Sequence, residues 1–207
     1  MLSLVTAPAK NPITWEGHVK GHLRLSGEAE RQRIEQLLIP AATRWAESET
    51  NRALITQTWK LVLDAFPCDR SIALELPKAP LQSVTWVKYV NEDGVLTTWS
   101  SSEYVVDAPA GEEAMPGRIW PAYDKSWPTV RTQRNAVEIQ FACGYGNADD
   151  NVPALIKAAM LLIVGEQFQR REAAIAGTII AEVPLSARRM IAPFRVPTYR
   201  DSYEAAS

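Results

Sequence analysis

The spacing of apolar residues changes along the chain from helical to strand-like and back to helical. Pro8 and Pro12 block helix at the start and bias their predecessors to extended backbone, so residues 1–13 are predicted as an extended arm. Thr14 is a natural N-cap for a short helix from Trp15 to Leu23. Gly17 and Gly21 weaken that helix by ~1 kcal/mol each relative to Ala, so it depends on packing. Ser26 is placed to cap a second helix, with Glu28 and Glu30 set against the positive end of its dipole. Ile34, Leu37, Leu38, Ala41, Ala42 and Trp45 recur at helical spacing, and the periodicity continues through Pro40, which predicts a kink rather than a stop.

From Ile55 the period shortens. Residues 55–66 are rich in β-formers, and Ile72–Leu76 follows, closed by Pro77 and Pro80. Val84–Val90 and Val95–Trp99 flank Asn91-Glu92-Asp93-Gly94, a strong hairpin signal because Gly94 takes a positive φ without steric cost. Tyr104–Val106 is a further short strand, 107–117 a loop, Arg118–Trp120 an expected edge strand, and Ala136–Ala142 a well-alternating strand. Asp149–Asn151 and Pro153 then open the longest and most apolar helix, 152–171, which is apolar on more than one face and so is expected at the centre of a core. Ala173–Pro184 reads as a linker, Leu185–Phe194 as a short helix between prolines, and the remainder as a tail. The fold class is therefore α+β: a helical core with an inserted antiparallel β-rich region. The divisions are an arm and helices over 1–52, the β-rich insertion over 53–147, core helices over 148–194 and a tail over 195–207.

Composition narrows the function. With 207 residues the chain is long enough to bury a core without staples. Lys and Arg number 22 against 24 Asp and Glu, a net charge of -2, which argues against a dedicated nucleic-acid binder and against a polybasic membrane-surface protein. The N-terminus lacks the basic start and apolar run of a signal peptide, and no apolar stretch approaches membrane-spanning length. A soluble protein made inside the cell is expected, with Cys68 and Cys143 as buried thiols in a reducing compartment.

Catalytic chemistry is not visible. His18 and His22 share a helix face at the spacing of zinc helices, but Val19 stands where a metalloprotease carries Glu, and no third ligand is evident. Cys143 reads as a strand-end thiol rather than a nucleophile, and no Ser elbow is present. Gly144-Tyr145-Gly146 lacks the third glycine of a dinucleotide loop and the Lys of a phosphate loop, so it reads as a turn. Asp149, Asp150, Glu112 and Glu113 are explained as caps and a solvated loop. No catalytic, cofactor or metal residue is assigned, and no enzyme activity is expected. Arg188, Arg189, Arg195 and Arg200 outweigh Asp201 and Glu204 near the C-terminus, the pattern of an interaction arm.

The ordered motifs resemble the head–tail connector (adaptor, or head-completion) proteins of long-tailed bacteriophages and gene-transfer particles. The resemblance runs through Pro12-Ile13-Thr14-Trp15-Glu16, His22-Leu23-Arg24, Ala41–Glu47 and Arg52–Trp59. It continues through Phe66-Pro67, Leu76–Val84, Tyr89, Asp93-Gly94, Tyr104, Trp127-Pro128, Gly144–Gly146, Val152-Pro153 and Arg171-Glu172. It implies a ring of this chain, twelve-fold in the virion neck, that joins the portal to a stopper or tail-completion protein. DNA would pass through the ring without sequence-specific contact, and the protein would be made in the bacterial cytoplasm. It implies no cofactor and no membrane. It also implies a portal-binding C-terminal arm over residues 185–207, whose candidate contacts are Arg188, Arg189, Phe194, Arg195, Tyr199 and Arg200. A closed ring needs a head-to-tail interface, and Trp residues anchor interfaces well, so Trp86, Trp99, Trp120 and Trp127 are the candidates there. The rival readings are another tail or neck component, a monomeric interaction module and, last, a His-dependent metalloenzyme.

Overall fold

The structure, a computed structural model, describes residues 1–170 and 183–196. Both helices and antiparallel sheets are present, and the chain forms two compact units. One is built on Met1–Pro8 and Thr56–Gly144; the other takes in Ala9–Ile55 and Tyr145–Arg195.

The described part of the first unit is built mainly of β-strands. A five-stranded antiparallel sheet has the order β1 (Leu2–Thr6), β2 (Gln57–Leu63), β8 (Val137–Cys143), β4 (Leu81–Val90), β5 (Leu96–Trp99). β8 lies at its centre, and its strict alternation buries Val137, Ile139, Phe141 and Cys143 on one face. The β4–β5 hairpin forms where the Asp-Gly signal places it: Asn91 N–H donates to the Val95 carbonyl, and Gly94 sits at φ 82°. The start of the expected N-terminal arm is β1, paired along β2 from Leu2↔Leu61 to Thr6↔Thr58 with a bulge after Leu4. A second sheet holds β3 (Leu74–Leu76), β7 (Gly117–Pro121) and β6 (Tyr104–Asp107), in the order β3-β7-β6. The segment expected as an edge strand, 118–120, is thus the central strand of this sheet, because both β3 and β6 find hydrogen-bond partners on it. Gly117 is required there: a Cβ at this position would collide with the buried Leu81 side chain.

The second unit is helical. Thr14 caps a π turn, Trp15–Val19, by accepting the Gly17 N–H at 3.2 Å, and the turn runs into α1 (Lys20–His22). The second helix starts later than Ser26 predicts. Residues 26–30 form a turn, and α2 (Arg31–Arg33) begins after Glu30, whose side chain makes no cap. Glu28 is used differently. Its carboxylate accepts from Trp15 Nε1 at 3.0 Å and Lys20 Nζ at 2.6 Å, which ties the turn to the preceding helix. A π turn (Ile34–Leu38) connects α2 to α3 (Ile39–Thr50). The helix passes through Pro40 as its periodicity predicts, because the widened turn just ahead makes room for a residue with no N–H. It ends at Asn51 in the left-handed region, φ 55°.

α4 (Ala154–Gln169) follows Pro153, which stands at the N-cap and not inside the first turn. It is the central helix of this core, with Ile156, Ala159, Met160, Ile163 and Val164 buried. Ile13, Trp15, Val19, Ile34, Leu38 and Ile39 pack in the same cluster, as do Ala187, Ile191 and Phe194 from α5 (Leu185–Ile191) and the turn after it. Most of the predicted linker, 173–184, lies outside the described residues.

Candidate functional site

The C-terminal segment is where sequence places a portal-binding arm, and its described part is docked on the helical unit. Phe194 is 2% exposed and belongs to the core, so it is not available to an external partner. Its carbonyl accepts a hydrogen bond from Arg52 Nε at 2.6 Å. Arg52 is itself 1% exposed, and its guanidinium stands 5.9 Å from the centre of the Tyr145 ring. A buried guanidinium is costly unless hydrogen-bonded, so this contact fixes the segment to the end of α3 and the turn beyond it. Arg195 adds an exposed tie: Nε donates to the Glu49 carbonyl at 3.2 Å, and Nη2 lies 3.8 Å from the Glu49 carboxylate. Arg188 and Arg189 are exposed on α5, and Tyr199 and Arg200 lie outside the described residues. Sequence reasoning missed Arg52. Its one signal was an Arg set directly before the apolar run Ala53-Leu54-Ile55.

The four Trp candidates divide into two pairs. Trp99, expected at a subunit interface, is 4% exposed and lies inside its own unit. It joins an aromatic cluster with Phe66, Tyr104 and Trp127, with ring centres 5.0–5.6 Å apart. Trp127 stacks on Phe66 at 17° and donates from Nε1 to the Asp69 carbonyl at 3.1 Å. Packing thus explains both, since these rings shield each other from water. Burial also holds the Tyr104 phenol above its ordinary pKa. Trp86 and Trp120 are different. Trp86 sits half-buried on β4 under Lys88 Nζ, 4.7 Å from its ring centre. Trp120 sits on β7 opposite Val105, on the face that also carries the Arg118–Glu75 ion pair.

A cleft of about 470 Å³ opens beside the aromatic cluster, between residues 65–70 and 126–130. Cys68 lines it and is exposed, against the expectation of two buried thiols; Cys143 is buried at the end of β8. Ser71 donates its N–H and hydroxyl to the Asp69 carboxylate, which holds that carboxyl below its usual range. These bonds shape a turn and favour the ionised carboxylate.

The two histidines have local tasks. His18 Nδ1 is 3.3 Å from both the N–H and the hydroxyl of Thr14, so it supports the helix cap. His22 lies beside α4: a Cβ on Gly165 would be 3.6 Å from His22 Nε2. Among the described residues no three His, Cys, Asp or Glu side chains are grouped to hold a metal ion, and no helix is long and apolar enough to cross a membrane.

No protein-family model matches the sequence, and no curated protein matches it. Solved structures do match. A chain from the neck of an empty GTA particle, computed with C6 symmetry, superposes with a TM-score of 0.74 at 25% identity over 96% of both chains. A chain from the virion of a native gene transfer agent (GTA) particle gives 0.73 at 25% identity, again over 96% of both. A third, from the neck of a native GTA particle computed with C12 symmetry, gives 0.67 at 23% identity over 96% of both chains. The likeness spans nearly the whole chain and so includes both units. It supports a phage-like structural protein of the virion neck or tail type; the matching chains themselves come from multi-subunit assemblies.

Proposed function

We propose that this chain is a head–tail connector subunit: a ring in the neck of a phage-like particle that joins the portal to the stopper or tail-completion protein and continues the DNA channel. The observation that carries the reading is the match, over 96% of both chains, to a chain from a GTA neck. Twelve copies satisfy both the six-fold and the twelve-fold symmetry of the neck structures to which the chain is similar. A net charge of -2 suits a channel through which duplex DNA slides, since a strongly basic lumen would hold the phosphates. The work done is mechanical, with no cofactor and no bond made or broken. Trp86 and Trp120, half-buried on outward faces of the two sheets, are the aromatic groups placed to meet neighbouring subunits. The portal-facing surface is assigned to Arg188 and Arg189 and to the chain beyond residue 196. The protein would be made in the host cytoplasm and reside in the virion neck.

The test is gold labelling of the protein in intact particles, together with deletion of its gene. Label at the head–tail junction, and DNA-filled heads without tails after deletion, are expected. Label on the tail tip, or normal joining without the gene, would overturn the reading.

A further inference from the structure

We infer that copies of this chain join through the two edges of the five-stranded sheet, with β5 of one subunit pairing in parallel with β1 of the next. The inference rests on the ring reading above and names the contact that builds the ring.

The backbone carries the argument. Met1 and Val62 exchange N–H and carbonyl bonds across β1 and β2, so by alternation Ser3 also faces β2, while Leu2 and Leu4 turn their main-chain groups away from the sheet. At the other edge the Asn91–Val95 bond sets the same alternation: Thr97 and Trp99 face β4, and Leu96 and Thr98 turn outward. Val90 confirms this phase, since its N–H goes to Ala136 on the opposite side of β4. Among the described residues the outward N–H groups of Leu2, Leu4, Leu96 and Thr98 meet no acceptor.

Neither strand carries the charge or proline that guards many open edges; β1 has its bulge and β5 is short. β1 reads LSLVT and β5 reads LTTW, with no charged residue and no Pro, and Leu4, Val5 and Leu96 are 42%, 51% and 52% exposed. The edges of the smaller sheet are guarded by contrast: β3 carries Glu75 and β6 ends on Asp107. The bulge after Leu4 ends the straight part of β1, which leaves Leu2–Leu4 to pair within the span of β5.

The occupant follows from topology. Four antiparallel steps separate β1 from β5, so the two edges run in the same direction. A copy displaced by one step of a many-fold rotation therefore offers its β1 parallel to β5, and the contact is head-to-tail, the kind that closes rings. Pairing of β1 with another β1 would be two-fold and stop at a dimer, which does not fit the rotational symmetry of the neck assemblies that the chain resembles.

The test uses particles assembled with full-length variants in a Cys68→Ser background, treated with a short bis-maleimide. Leu4→Cys with Thr98→Cys should give a ladder of linked multimers, and neither single variant should link. A ring seen in the neck by electron microscopy without the ladder overturns the edge pairing and leaves the ring. Necks without a ring overturn the reading on which it rests, and dimers from Leu4→Cys alone assign a two-fold contact instead. Thr98→Pro removes an outward N–H while sparing the ladder to β4. It should lower incorporation into necks about tenfold, as loss of one ladder bond per junction implies, with the melting temperature of the isolated protein unchanged. Normal incorporation of Thr98→Pro would overturn the proposal.

Discussion

Arg52→Ala tests how the C-terminal segment is held. The substitution removes the Nε–H that the Phe194 carbonyl accepts at 2.6 Å, and the guanidinium 5.9 Å from the Tyr145 ring centre. A charged hydrogen bond contributes ~2 kcal/mol and a shielded cation–ring contact ~1 kcal/mol, so about 3 kcal/mol of stability should be lost. For a chain of this length that corresponds to a fall in Tm of roughly 6–12 °C. Urea unfolding followed by circular dichroism measures the free energy. Limited proteolysis should then cut within α5 and the turn after it faster in the variant, because that is the segment Arg52 anchors. Arg52→Lys should recover only part of the loss, since an ammonium lacks the planar fork that reaches the carbonyl beside the ring. A loss below about 1 kcal/mol for Arg52→Ala would refute the reasoning, because the bond would then contribute no more than an exposed one.

Other predictions concern the same elements. Truncation after Val196 should leave the helical unit folded, whereas truncation after Pro184 removes the buried Ala187, Ile191 and Phe194 and should cost more than about 5 kcal/mol, read by circular dichroism. An arm test therefore belongs at 196; a failure to join heads after cutting at 184 would report unfolding. Gly117→Ala drives a methyl into Leu81 and should destabilise by about 1–3 kcal/mol in urea; a neutral result would mean that the sheet yields freely there. The hydrogen bond from Lys20 holds the Glu28 carboxyl below its usual range. Its stabilising effect is therefore present above the unfolded carboxylate pKa of about 4.3 and lost as pH falls through the lower folded value. Glu28→Gln should flatten that acid limb of the stability curve, and an NMR titration giving Glu28 an ordinary value would contradict the assignment.

Local chemistry made much of the fold readable from sequence. Asn91–Gly94 specified its hairpin because the backbone turn needs a positive φ that Gly94 supplies. The strict alternation of 137–143 marked a strand with one buried face, and the all-round apolarity of α4 marked a central helix. Ser26 failed as a cap for a reason sequence does not carry: Glu28 finds Trp15 and Lys20, so the turn persists until Arg31. Strand 117–121 became central for a similar reason, since sheet order depends on which distant segments pair, and alternation says nothing about that.

The candidate site shows the same division. The basic character of the C-terminal residues and the Trp-rich strands are properties of composition and order, and those the sequence determined alone. Tertiary structure decided which of them face outward. Arg52 and Phe194 stand 142 residues apart, and only folding brings the guanidinium to the carbonyl. Trp99 and the half-buried Trp127 went to an aromatic cluster, while Trp86 and Trp120 lie outside it on β4 and β7. The two open sheet edges likewise exist only once β1 has found β2 across more than fifty residues of chain. Periodicity is a short-range signal set by backbone geometry, whereas burial and edge position are set by long-range pairing, and that is why one was legible and the other was not.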